Sequence, residues 1–121
     1  MLLTITAALL LQTPEPQWRE FKALGWTASL AVEDVQTARR QREAAKASVG
    51  PDQEPNPWYV VIRTQGAEQD GERPVVPRGF ICGRGHVDGE NGINPITPHT
   101  MEGEIYDLVC YGEGEQAFLT P

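Results

Sequence analysis

The sequence predicts an α+β fold dominated by antiparallel β structure: five or six short strands that form a small sheet, sandwich or barrel. The first observation is the high content of glycine and proline: 12 glycines and 10 prolines divide the 121 residues into short apolar stretches. The second is that successive strand-like stretches are joined by short Gly-rich connections, as in antiparallel sheets. The third is one long stretch of helix formers at residues 34–48. The length predicts one domain that covers residues 1–121.

The helix near residues 34–48 follows from its composition and its charge order. Its sequence, DVQTARRQREAAKAS, is rich in good helix formers, with acid at its start and base at its end, as the helix dipole prefers. A Gly-Pro pair follows it and ends it. The apolar side is thin and consists of Val35, Ala38 and Ala45. We therefore expect this helix to lie against the surface rather than through the core.

The N-terminal part of the chain allows more than one interpretation. Residues 2–11 fit a strand or a short helix, and they resemble the apolar centre of a signal peptide, although no basic residue precedes them. About ten apolar residues are too few to span a bilayer. We expect this stretch to be part of the folded core. Residues 14–24 then predict a short helix, with Pro14 in its first turn and Gly25 as its left-handed stop.

The strands are predicted from alternation and from β-branched and aromatic residues. WYVVIRT at residues 58–64 carries the strongest signal, and its apolar run predicts a central strand covered on both faces. A hairpin turn is predicted at Asp70-Gly71, because this pair favours two-residue turns. The other predicted strands are residues 26–32, a broken strand at 75–82, and residues 104–111 and 116–120.

Charge and known sequence motifs narrow the choice of partners. The net charge is −7: residues 1–60 hold six basic and seven acidic residues, and residues 61–121 hold four and ten. Because basic residues neutralise the phosphates in nucleic-acid complexes, we expect no nucleic acid as a partner. The sequence has no glycine-rich dinucleotide or P-loop pattern, and we expect no cofactor. It also has no apolar stretch of transmembrane length, so we expect no membrane span.

Two cysteines, Cys82 and Cys110, allow at most one disulfide bond. Each lies in an apolar stretch, so the two could be neighbours across a sheet. We favour two buried free thiols that behave as small hydrophobic residues. A cysteine zinc site is excluded, because the sequence has neither a third thiol nor a CxxC pair.

The segment ICGRGHVDGENGINPITPHTMEGEI, residues 81–105, concentrates side chains of the kinds that bind metals. It holds both histidines of the chain and several carboxylates among glycines and prolines. A metal site would use His86, Asp88, His99 and Glu102, and with a bound water it would make a metal-dependent hydrolase or nuclease. The spacing matches no zinc motif. As a calcium loop, the segment lacks the acidic first ligand and the final bidentate glutamate.

The alternative interpretation of residues 82–104 is an ordered loop that meets a protein partner. The partner-binding residues predicted in this loop are His86, Asp88, Glu90 and His99. A second candidate surface lies on the helix, where Arg39, Arg42 and Lys46 recur at three and four residues and so share one face. That face is either solvated or a docking stripe for an acidic surface, including the acidic half of another copy.

These observations favour a non-enzymatic, small acidic binding or assembly protein that contacts a protein partner or further copies of itself. A structural subunit of a larger particle, such as a virion, fits the Pro- and Gly-rich loops. The first alternative is the metal-dependent hydrolase or nuclease. The second is a secreted binding module stabilised by a disulfide bond. We expect a soluble chain, and the balance favours a cytoplasmic or virion setting over secretion.

Overall fold

The computed structural model describes residues 15–88 and 92–120, so the interpretations of residues 2–11 lie outside the described residues. Each strand pairs antiparallel with the next in one open sheet, and the strand order follows the chain. The predicted α+β fold, mostly antiparallel β, is therefore confirmed. The strands are β1 (Trp18–Ala23), β2 (Trp26–Ala31), β3 (Trp58–Gln65), β4 (Val75–Cys82), β5 (Gly85–Asp88) and β6 (Gly92–Asn94), and the helices are α1 (Val32–Ala47), α2 (Met101–Tyr111) and α3 (Glu115–Leu119).

The predicted short helix near residues 14–24 is wrong, because these residues hold strand β1 and a hairpin turn. All six residues of β1 pair with β2. Leu24 and Gly25 form the turn, with φ of 55° and 78°, and such positive values at both central positions are typical of two-residue hairpins. Phe21 packs edge-on against Phe118 of α3. Pairing with β2 and this aromatic contact outweigh the local capping signals.

Helix α1 confirms the helix predicted near residues 34–48 and begins directly after β2. Its thin apolar side is buried in the core: Val35 has no exposed area and Ala38 is 1% exposed. Asp34, in the first turn, accepts hydrogen bonds from the backbone N–H of Arg63 and from its guanidinium. These bonds raise the pKa of Arg63 and tie the start of α1 to β3.

Strand β3 is central, as predicted, but the expectation that both of its faces are covered is wrong. Val60 and Ile62 are 1% and 0% exposed, whereas Tyr59 and Val61 are 51% and 40% exposed. The described helices therefore cover the Val60 and Ile62 side of β3 and leave its opposite face exposed. The hairpin from β3 to β4 turns at Asp70 and Gly71, both with positive φ, which confirms the predicted turn.

The strands predicted at residues 104–111 and 116–120 are wrong, because these residues belong to helices α2 and α3. Thr100 caps α2, since its Oγ1 accepts a hydrogen bond from the backbone N–H of Gly103 at 3.1 Å. Gly112, with φ of 76°, ends the helix in the left-handed conformation. The apolar residues of α2 recur at helical spacing and are buried: Ile105, Leu108 and Val109.

The segment at residues 82–104 is not one long loop. Strands β5 and β6 take up part of it and extend the sheet past β4. Gly85 opens β5 with φ of 148° and lies against the backbone of Asn94, where a Cβ atom would collide with the Asn94 carbonyl oxygen. The chain then passes through residues 95–100 to α2.

Cys82 and Cys110 form a disulfide bond, so the expectation of two free thiols is wrong. Cys82 ends β4 and Cys110 lies near the end of α2, with 5.3 Å between their Cα atoms. The bond joins the sheet to a helix, not two strands of the sheet. Neither cysteine has exposed area.

We expect Gly85→Ala to destabilise the protein by about 2–5 kcal/mol, because a left-handed backbone strain of about 1–2 kcal/mol adds to an overpacking cost of about 1–3 kcal/mol. Gly83→Ala is the matched control, since Gly83 also has positive φ but has open space around it. Urea unfolding of both variants measures the difference. Equal losses in free energy of unfolding would contradict a close approach of Gly85 to β6.

Reducing the Cys82–Cys110 bond should lower the free energy of unfolding by about 3–4 kcal/mol, the chain-entropy value for a loop of about 28 residues. Urea unfolding with and without reductant measures this change. The double variant Cys82→Ala, Cys110→Ala is the control and should not respond to reductant. Two thiols that titrate in the denatured, unreduced protein would contradict the bond.

Candidate functional site

The predicted residues of the 82–104 segment are only partly brought together. Nε2 of His86, on β5, lies 3.4 Å from Oε1 of Glu102 in the first turn of α2. With Arg78 of β4 they line a small cleft of about 260 Å³. His99 lines a separate depression beside α2. The side chains of Asp88 and Glu90 lie outside the described residues.

The predicted metal ligands are His86, Asp88, His99 and Glu102. In the described part of the chain, His86 and Glu102 lie together and His99 lines a different depression. Among the described side chains, no group of three or more His, Cys, Asp or Glu residues is placed to hold a metal ion. The described pair is a histidine whose ring nitrogen lies close to a carboxylate oxygen. That pair connects β5 to α2.

The three basic residues predicted to share a face of α1 have three different surroundings. Arg39 is exposed and pairs with Glu43 at 3.3 Å. Arg42 is buried and donates to Oε2 of Glu115 at 2.8 Å, with its guanidinium against Gly112. Lys46 is exposed and forms no salt bridge within the described residues. A partner could reach Arg39 and Lys46, but Arg42 is used to attach α3.

The face of the sheet opposite the helices is a second candidate site, and the sequence interpretation missed it. We call it the outward face. Side chains directly opposite each other in antiparallel pairs share a face, and the register aligns Val61, Gly79, Val87 and Ile93 in one row across β3 to β6. We restrict the term to strands β3 to β6, where the outward face comprises Tyr59, Val61, Arg63, Gln65, Val75, Pro77, Gly79, Ile81, Gly85, Val87 and Ile93.

The outward face is apolar and depleted of charge. Tyr59, Val75 and Ile93 are each about half exposed, at 51%, 52% and 48%. The Tyr59 ring lies across Gly79, where an added Cβ would meet Oη at 2.8 Å. Arg63 is the one charged residue among these β3 to β6 positions, and Asp34 neutralises it. On β1, the same side of the sheet carries Glu20 and Lys22, whose charged groups lie 3.9 Å apart. Charge depletion with aromatic enrichment is typical of interface cores.

A groove of about 500 Å³ is the third candidate site. It lies where β3 begins, β4 ends, and helices α1 and α2 both end, with the disulfide bond in its wall. This volume is within the range of ligand pockets, about 300–1,000 Å³. Apart from the disulfide, it is lined by Lys46, Gly50, Pro51, Gln53, Glu54, Pro55, Trp58, Gly83 and Tyr111.

Polar groups around the groove differ in whether they have partners. Tyr111 is hydrogen bonded to Tyr106 through their hydroxyls at 3.4 Å, and this bond, with burial, raises the pKa of Tyr111 to about 12. Tyr106 also accepts a hydrogen bond from the backbone N–H of Gly83 at 2.8 Å. By contrast, Nε1 of Trp58 is shielded from solvent and finds no acceptor among the described residues.

Comparison with protein-family models, with curated proteins and with solved structures finds no match for this chain. Within the described residues, no helix has the length and apolar character needed to cross a membrane.

We expect Arg42→Met to lower the free energy of unfolding by about 3 kcal/mol, because it leaves the Glu115 carboxylate buried without its partner. Arg39→Met is the matched control, and losing its exposed pair with Glu43 should cost less than about 1 kcal/mol. Thermal and urea unfolding measure both. The double variant Arg42→Met, Glu115→Leu should recover much of the loss, whereas equal effects of the two single variants would argue against a buried pair.

Proposed function

We propose that the protein is a non-enzymatic binding or assembly protein that pairs with a second copy of itself through the outward face. The observation that carries this proposal is the apolar row across β3 to β6, with Val61 and Ile93 exposed at 40% and 48%. Large exposed apolar patches on soluble proteins mark interaction sites.

Charge supports a second copy as the occupant of the outward face. Two chains of net charge −7 repel each other, and the repulsion is least where they touch through a surface without net charge. The outward face meets this condition, because the Arg63 guanidinium is paired with Asp34. An apolar surface is also complementary to itself, as a two-fold interface requires.

The size of the outward face predicts a weak dimer. Four strands about 4.8 Å apart, the longest of eight residues at about 3.3 Å each, span at most about 20 by 26 Å. That area is at the small end of specific interfaces, where association is transient. A face-to-face dimer buries the outward face of both copies. Assembly into a larger particle such as a virion therefore requires a second contact surface.

The disulfide bond supports the secreted alternative for where this binding protein acts. Disulfide bonds persist in oxidising compartments and are rare in the cytosol of mesophiles. The Cys82–Cys110 bond is buried in the core, which suits a permanent structural role. We therefore favour an oxidising compartment over the cytoplasm for the folded protein.

Sedimentation velocity and native mass measurement over a range of concentrations test the proposal. Val61→Lys should abolish the dimer, because it buries an unpaired charge in the apolar row. Lysine is the chosen residue because it lowers the net negative charge, so greater repulsion between copies cannot explain a lost dimer.

Ala44→Lys is the matched control, since Ala44 is exposed on α1 and the charge change is the same. This variant should dimerise like the unchanged protein. Strictly monomeric protein at high concentration would overturn the proposal. So would a dimer that Val61→Lys leaves intact while both variants keep the thermal stability of the unchanged protein.

A further inference from the structure

We infer that the groove beside the disulfide bond binds an extended, proline-rich peptide segment that carries a Lys or Arg. This site is independent of the outward face, because its walls are the ends of α1 and α2 and the 50–55 loop. Four lining residues carry rings, namely Trp58, Tyr111, Pro51 and Pro55. Aromatic-lined grooves of this composition bind polyproline II segments, whose conformation is largely formed before binding.

The unpaired indole N–H of Trp58 indicates which backbone atoms the ligand presents. This donor is cut off from water and from any acceptor among the described residues. A buried donor without a partner costs about 1–3 kcal/mol, and a ligand carbonyl that displaces the covering atoms would recover part of it. The exposed ammonium of Lys46 is a second donor in the same wall. These two donors call for acceptors on the ligand.

Proline fits this demand better than other residues. Its ring packs flat against aromatic rings, and its backbone has a carbonyl acceptor but no N–H donor. Burying a proline next to Trp58 therefore leaves no ligand donor without a partner. A non-proline residue placed against these rings would bury an N–H group, and the ring faces give it no strong acceptor.

The charge at the groove favours a basic residue beside the prolines. Glu54 is exposed in the groove wall and forms no salt bridge within the described residues. The ends of α1 and α2 add about half a negative unit charge each. Lys46 offsets about one unit, so the local sum is about −1. A ligand cation placed near Glu54, and away from Lys46, is attracted.

The test uses synthetic peptides of about nine residues, which span about 28 Å as polyproline II. The probe combines proline and alanine with one arginine at an end. One matched peptide has glycine in place of every proline, and another has glutamate in place of the arginine. Binding is followed in isotope-labelled protein through the indole N–H signals of the three tryptophans, and Trp58→Phe identifies the Trp58 signal.

The proline peptide should shift the Trp58 signal but not that of Trp26, which is 67% exposed and does not line the groove. Trp58→Phe keeps an aromatic ring and should weaken binding about 2- to 12-fold, the range for one lost hydrogen bond. Trp26→Phe is its control and should bind normally. Glu54→Gln should remove the preference for arginine over glutamate in the peptide. Val61→Lys should bind the peptide unchanged, which separates this site from the proposed dimer.

Three results would each overturn the inference. The first is a Trp58 signal that does not move at saturating proline peptide. The second is equal affinity for the glycine peptide. The third is normal affinity of a folded Trp58→Phe variant, with folding checked by its melting temperature.

Discussion

The covalent junction between β4 and α2 determines where every candidate surface lies. Cys82 and Cys110 hold the end of the sheet against the end of the helix, and Tyr106 packs beside them on Phe80 while its hydroxyl bonds Gly83. Because α2 is attached here, it covers the same face of the sheet that α1 covers. The described helices leave the opposite face uncovered, and the space beyond the junction forms the groove.

The helices cover one face of the sheet, and the exposed apolar residues of β3 to β6 lie on the other face. A two-layer α+β fold buries one face of its sheet against helices, and an antiparallel sheet usually turns a polar face to water. Here β3 to β6 turn a largely apolar face outward. Burial within the described fold does not explain this composition, and the proposed contact with a second copy would explain it.

The sequence predicted the fold class, helix α1 and the Asp70-Gly71 hairpin, because each rests on local composition. It misplaced α2, although the signals were present: Thr100 as a cap, Gly112 as a stop, and buried residues at helical spacing. The same stretch is short and apolar, so it also fits a strand. The disulfide bond and the alignment of Val61 with Ile93 depend on contacts between segments far apart in the chain. Such contacts cannot be predicted from a single sequence.

The sequence predicted candidate binding sites on ionisable residues. In the structure, several of these residues make contacts within the chain. Arg42 attaches α3 through Glu115, Asp34 holds Arg63, and His86 contacts Glu102. A paired charge has less to offer a ligand, although Nη1 of Arg42 and Oε1 of Glu115 are buried without a hydrogen-bond partner among the described residues. Two further features lack a partner in that part of the chain: an apolar sheet face and the indole N–H of Trp58. In this protein, binding is therefore better sought where folding leaves a group without its partner than where ionisable residues are most numerous.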